Sequence, residues 1–153
     1  MWVYFAGPLF CQSEKEFNLN LAEKIENAGF SVFLPQRDGI EPEQGEFQSL
    51  DEVERPKRIF AVDRDQVIRS DIFLQILDGR IPDEGACVEL GIAYENKQAE
   101  NRDKLLIGLY TDFRRFCDYF PLNPMILAPL DVLCENEEDL LVNLTAYKKK
   151  MEE

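Results

Sequence analysis

Short apolar runs alternate along this chain with amphipathic helical stretches, and turns containing Gly or Pro separate them. That alternation predicts an α/β fold: a flavodoxin-like or Rossmann-like, doubly wound parallel sheet of about five strands, covered by helices on both faces. At 153 residues the chain can bury one core, so residues 1–153 are expected to form a single domain. Its composition, 45% hydrophobic and 31% charged, is that of a soluble globular protein.

The first strand is Val3-Tyr4-Phe5, ending in the turn Ala6-Gly7-Pro8. Ser13 and Glu16 have the S-x-x-E spacing of a capping box, which predicts a helix carrying Phe17, Leu21 and Ile25 on one side and stopping at Gly29. Phe30–Leu34 reads as the second strand, ended by Pro35. The segment from Pro35 to about Leu50, rich in Gly, Pro and acidic residues, is long for a connection, a trait of functional loops. A helix is expected from near Pro56 to about Ser70, with Asp65 and Arg69 as an i,i+4 surface pair. Asp71 then orders the start of a third strand, Ile72–Leu77. The next helix carries Glu89 and extends to about Asn96, before a fourth strand at Leu105–Tyr110. A short strand around Val132–Cys134 precedes a last helix capped by Asn136 with Asp139, whose basic end Lys148–Lys150 suits the helix dipole.

Composition removes several chemistries. The net charge of −13 argues against nucleic-acid polymers, whose phosphates need basic patches. Without a histidine, Ser-His and Cys-His catalysis and most zinc chemistry are excluded. Cys11, Cys87, Cys117 and Cys134 are scattered and form no C-x-x-C pair, so free thiols are expected rather than a zinc site or disulfides. No cofactor and no metal is expected. No apolar run approaches the roughly 20 residues that span a membrane, and the N-terminus lacks the pattern of a secretory signal. No membrane partner and a cytoplasmic location are therefore expected. The glycine-rich fingerprints of dinucleotide and NTP sites are absent.

The stretch Asp78–Gly91 carries the strongest functional signal. It leaves the third strand, crosses a Gly/Pro loop and starts a helix in which Glu89 has Gly85, Ala86, Ile92 and Ala93 as neighbours. A carboxylate in so small and apolar a setting costs several kcal/mol to desolvate, which marks Glu89 as a candidate acid, base or nucleophile. Asp83 is placed to cap this helix, with its second oxygen free for a ligand. In open sheets of this kind ligands bind beyond the carboxyl ends of the strands: here Ala6–Pro8, Asp78–Gly85 and Thr111–Arg115. Tyr4 reads either as a core tyrosine or as a residue that orients a carboxylate. Asp63, taken alone, reads as part of a solvated helix face, and Asn123 as a turn residue between prolines. Arg114 and Arg115 fit an anion site or a surface salt bridge equally well.

Five segments in order carry a family resemblance over nearly the whole chain. They are Tyr4-Phe5-Ala6-Gly7, Asp63 eight residues before Asp71, Pro82-Asp83-x-Gly85-x-x-x-Glu89-Leu90-Gly91, Asp112-Phe-Arg-Arg115 and Pro121-Leu-Asn123-x-Met125. Together they resemble the nucleoside 2-deoxyribosyltransferases. The resemblance implies that Glu89 attacks the anomeric carbon of a 2′-deoxynucleoside to form a deoxyribosyl ester, while Asp63 protonates the leaving base. It implies further that Asp83 holds sugar hydroxyls, Tyr4 orients Glu89, and Asn123 reaches the sugar of a neighbouring subunit. The partners are then a 2′-deoxynucleoside and a free nucleobase, with a homo-oligomer, dimer or larger, sharing its sites. Gly7 lies in the substrate-binding first turn, and Gln36 and Asp38 in the Pro35–Gly45 loop are expected to face the base. Two alternatives remain: an N-glycoside hydrolase of 2′-deoxynucleosides or their 5′-monophosphates, and a non-catalytic nucleotide-binding module.

Overall fold

A computed structural model describes residues 1–40, 50–100, 102–112 and 122–153. Much of the Pro35–Leu50 connection, together with Arg114, Arg115, Cys117 and Pro121, lies outside the described residues. Five strands form the sheet: β1 Trp2–Ala6, β2 Ser31–Phe33, β3 Ile72–Ile76, β4 Leu105–Leu109 and β5 Val132–Cys134. They are all parallel and lie in the order β2-β1-β3-β4-β5. This is the flavodoxin order, in which the winding reverses between β1 and β3 and opens a crevice at their carboxyl ends.

Four helices of 16 residues cover the sheet: α1 Gln12–Asn27, α3 Glu54–Arg69, α4 Glu84–Ala99 and α6 Glu137–Glu152. The single-turn helices α2 Pro35–Asp38 and α5 Pro124–Leu127, too short for a periodic signal, were not foreseen. Strand parity divides the core. Val3, Phe5, Ile72 and Leu74 pack with Leu21 and Ile25 of α1 and Leu140 and Leu144 of α6. Tyr4, Ala6 and Phe73 point the other way, against Val67 of α3 and Ala86, Leu90 and Ala93 of α4. β3 and β4 are buried along their whole length, as parallel strands covered on both faces must be.

The caps of α4 and α6 are the expected ones. Asp83 Oδ1 accepts the Ala86 N–H at 2.8 Å, and Asn136 Oδ1 accepts the Asp139 N–H at 2.8 Å. The start of α1 differs from expectation. Cys11 is the N-cap, and Glu14 reaches back to the N–H groups of Phe10 (2.8 Å) and Cys11 (3.0 Å). Glu16 is held one turn away by Gln12 Nε2 at 2.6 Å, so the Ser13/Glu16 pair does not cap the helix. Gly29 ends the α1 turn at φ +86°, a conformation that favours glycine.

At the amino ends of the strands, Asp71 Oδ2 accepts the Trp2 N–H at 2.8 Å, which ties β1 to β3. Asp65 pairs with Arg64 rather than Arg69, which instead places its charge in the last turn of α3. Among the described residues, no helix is long and apolar enough to cross a membrane.

Candidate active site

Tyr4 lies in register with Phe33 on β2 and Phe73 on β3. Its ring is stacked between theirs, at centroid distances of 5.6 and 5.8 Å. The tyrosine is fully buried, so its hydroxyl must find a partner within the protein. That partner is Glu89: the Tyr4 hydroxyl donates to Glu89 Oε1 at 2.7 Å.

Glu89 comes to this position through the pattern of α4. Ala86, Leu90 and Ala93 press the helix onto the sheet, and their small size brings it close. Glu89, three residues after Ala86 and one before Leu90, falls on the flank of that stripe and is half-buried. Burial pushes its carboxyl up to about 7; the Tyr4 hydroxyl bond opposes this, and the charges of Asp63 and Asp83 add to it. Asp63, also half-buried, stands on α3, and burial pushes its carboxyl up to about 6. The Tyr4 phenol is pushed far above its ordinary range by burial and by the charges of Glu89 and Asp63, so it stays a hydrogen-bond donor. Three residues 26 to 85 positions apart in the chain thus act on one another electrostatically: one donor and two carboxyls, both raised toward neutral pH.

The other candidate residues are placed less centrally. Asp83 keeps its cap of α4, and its charge reaches Glu89. Gly7 brings the first turn against β3: a Cβ there would lie 2.9 Å from Ile76 Cβ. Asn123 is the exposed N-cap of α5, its Oδ1 accepting the Met125 N–H at 2.9 Å. Gln36 and Asp38 are not aimed freely at a ligand. Gln36 donates to Lys15 O and accepts from Asn18 Nδ2, tying α2 to α1. Asp38 accepts the Leu34 N–H at 2.8 Å and binds Arg37, which stabilises the turn of α2. Among the described residues, no group of three or more Cys, Asp or Glu is arranged to hold a metal ion.

Two polar residues at the same strand ends were missed in the sequence. Asp78 clamps the segment after β4, accepting from Thr111 N–H (2.6 Å), Thr111 Oγ1 (2.7 Å) and Asp112 N–H (2.8 Å). Gln75, fully buried on β3, directs Nε2 at Cys87 Sγ at 3.8 Å, and its Oε1 has no partner among the described residues. The signals were there: an Asp-Gly pair closing a strand, and an amide inside the apolar run Ile72–Leu77.

Among solved structures, the chain is similar to a conserved protein from Enterococcus faecalis V583, with 25% identity over 95% of this chain and 98% of that one and a TM-score of 0.78. It is similar in fold to the 2-deoxyribosyltransferase from the psychrotolerant bacterium Bacillus psychrosaccharolyticus, with 21% identity over 92% and 90% of the two chains and a TM-score of 0.73. A more distant likeness of fold is to the Clostridium botulinum CMP N-glycosidase BcmB, with 17% identity over 96% and 99% and a TM-score of 0.55. No curated protein sequence matches the chain. The family model described as nucleoside 2-deoxyribosyltransferase matches residues 3–145, a span that takes in Tyr4, Asp63, Asp83, Glu89 and Asn123. With residues 3–145 of the 153 matched, the chain belongs to the nucleoside 2-deoxyribosyltransferase family.

Proposed function

We propose that the protein transfers the 2-deoxyribosyl group between nucleobases by a retaining double displacement. The observation that carries this reading is the 2.7 Å hydrogen bond from the buried Tyr4 hydroxyl to Glu89, beside a second raised carboxyl on Asp63. Tyr4 fixes one oxygen of Glu89 and leaves the other free to attack the anomeric carbon. As the C–N bond breaks, Asp63 gives its proton to the departing base, and a glycosyl ester forms on Glu89. A second base then attacks the same face, Glu89 departs, and Asp63 takes up the proton that the incoming base loses. Two inversions keep the β configuration. Water in place of the second base gives hydrolysis.

Without an electron-withdrawing 2′-hydroxyl, the cation-like transition state is easier to reach, so 2′-deoxynucleosides are the preferred substrates over ribonucleosides. Asp83 holds a sugar hydroxyl through the oxygen that its cap leaves free. Gln36 and Asp38 serve the base indirectly, by holding the turn of α2 against α1. Such an enzyme would act on small soluble nucleosides in the cytoplasm and as a homo-oligomer, with Asn123 serving the sugar of a neighbouring subunit. The exposed apolar side chains Val88 and Met125 would be covered in that assembly.

The test is to incubate the protein with 2′-deoxyinosine and adenine, and in parallel with 2′-deoxyinosine alone, and to separate products by chromatography. New 2′-deoxyadenosine supports transfer. Base release that needs no acceptor makes the enzyme a hydrolase, and no turnover of any deoxynucleoside sinks both.

A further inference from the structure

The two helices on the Val3/Phe5 side of the sheet, α1 and α6, turn different faces to solvent. α1 turns out Glu16, Asn20, Glu23 and Asn27, all polar. α6 turns out Glu138, Val142, Thr145 and Lys149, of which Val142 is 61% exposed. Ala146 is exposed beside them and Leu141 is half-buried. All six line an open groove that runs along α6, with Lys24 of α1 at its edge.

Glu138, Val142, Thr145 and Lys149 follow one another at intervals of four, three and four residues, the spacing of a seam between two packed helices. Helical rotation sets Leu141 on one flank of that seam and Ala146 on the other. The stripe also has a symmetry of its own. A half-turn about the point between Asn143 and Leu144 carries Glu138 onto Lys149 and Val142 onto Thr145. Valine and threonine have nearly the same shape, and the two charges are opposite. Thr145 Oγ1 donates to Leu141 O at 2.8 Å, so its hydroxyl enters an apolar contact already paired. Glu137 is tied to Lys24 and Lys150 to Asp103, whereas Glu138 and Lys149 have no ion pair among the described residues.

A face that is complementary to itself under a half-turn fits a second copy of the same face. We propose that two α6 helices pack antiparallel across a two-fold axis, Val142 of each copy against Thr145 of the other and Glu138 of each against Lys149 of the other. The opposed helix dipoles favour the same arrangement. Four layers make a small interface, below the roughly 1,200 Å² of stable complexes, so association is expected in the micromolar range. α6 lies on the side of the sheet opposite Tyr4 and α4. The contact therefore leaves the crevice open and is separate from the surface that carries Val88 and Met125. With both surfaces occupied, the assembly is a dimer of dimers or larger.

The experiment measures the mass of the assembly by sedimentation equilibrium at protein concentrations from about 1 to 500 μM, the range in which so small a contact fills. The wild type should reach twice the mass of Val142→Arg, which sets two guanidinium groups beside the axis. Glu138→Lys and Lys149→Glu each oppose like charges at both ends of the seam. Either should raise the dissociation constant on the order of 10²-fold. Mixed in equal amounts, the same two variants again present opposite charges at both ends, and the mixture should recover the wild-type mass. All three substitutions fall on exposed positions, and circular dichroism checks that the fold is kept. Equal masses for the wild type and Val142→Arg at every concentration would overturn the inference, whether the face is then bare or takes a different protein. A mixture no heavier than its components would overturn the antiparallel pairing. Turnover is not read, so the result stands apart from the success or failure of the transfer reaction.

Discussion

The two ends of the sheet treat buried charge in opposite ways. At the amino ends, Lys104 is almost fully buried, yet its ammonium donates to Val67 O, Ile68 O and Ser70 Oγ, saturating its three donors. Arg102 binds Ile68 O, Arg69 O and Asp71, and Asp71 also holds the Trp2 N–H. Each polar group there completes another, closing the end of α3 onto the start of the sheet. At the carboxyl ends, Glu89 receives a single side-chain hydrogen bond among the described residues, from Tyr4, and the charges of two further carboxylates act on it. Gln75 Oε1 has no partner among the described residues. Saturation at one end and deprivation at the other separate structural charge from charge held ready for a substrate.

The largest effects should come from the deprived end. Glu89→Ala removes the nucleophile and should lower transfer on the order of 10⁴-fold or more, with the fold retained by circular dichroism. Activity close to that of the wild type would remove Glu89 from the chemistry. Asp63→Asn should cost about 10²- to 10³-fold with natural bases, and far less with an activated leaving group such as 4-nitrophenolate, which departs without a proton. The wild-type pH profile should be a bell. Acid protonates Glu89 and alkali deprotonates Asp63, and the limbs fall in the range of about 6 to 7 and belong to the pair. The alkaline limb should vanish in Asp63→Asn. A limb that persists there would assign the proton to another group.

Tyr4→Phe tests the single bond that Glu89 receives. Loss of one charge-assisted hydrogen bond is worth about 1.5–3 kcal/mol, or about ten- to hundred-fold in kcat. The hydroxyl bond lowers the Glu89 value, so in an Asp63→Asn background, where the acid limb belongs to Glu89 alone, its removal should move that limb to higher pH. A fall in rate with an unmoved limb would mean that Tyr4 serves packing alone.

Legibility followed the same division. The strands, the four long helices and the caps at Asp83 and Asn136 could be read because period, Pro, Gly and Asx signals are local. Glu89 stood out because a carboxylate among Gly85, Ala86 and Ala93 is incongruous within one turn of its own helix. Asp63 could not be found locally. Its neighbours Arg64 and Asp65 are polar, and only the packing of α3 beside α4 turns it from a solvated residue into a buried acid. The same holds for the clamp at Asp78 and for Gln36, whose partners lie 33 to 34 and 18 to 21 positions away. The Ser13/Glu16 box failed because two glutamates compete for one helix start, and Gln12 holds the second.

Charge held ready for chemistry should cost stability, and Glu89→Gln measures that cost. The folded value of about 7 lies above the ordinary 4.5, so the folded protein binds more protons than the unfolded chain between these pH values. Wild-type stability contributed by this group is therefore full below 4.5 and is lost as pH rises through 7. Glu89→Gln keeps an acceptor for Tyr4 and carries no charge. It should raise stability at pH 8 by about 2 kcal/mol and by little at pH 4.5, read from urea midpoints. An equal gain at both pH values would contradict a desolvated carboxylate.

The smallest effect is expected at the saturated end, from Lys104→Met. The carbonyls of Val67 and Ile68 keep other donors, Ser70 Oγ and Arg102, when the ammonium is removed. Methionine also fills the buried space without a charge to desolvate. The loss at pH 7 should be about 1 kcal/mol, a few degrees in Tm. Burial lowers Lys104 from 10.5 to about 8, so the unfolded chain holds this proton through a window in which the folded protein has released it. Wild-type stability should therefore gain as pH rises from 8 to 10.5, and Lys104→Met should lack that gain. Its pH profile of turnover should match the wild type. A displaced limb would show that charge at the amino ends reaches Glu89 through the sheet, and the separation of the two ends would not stand.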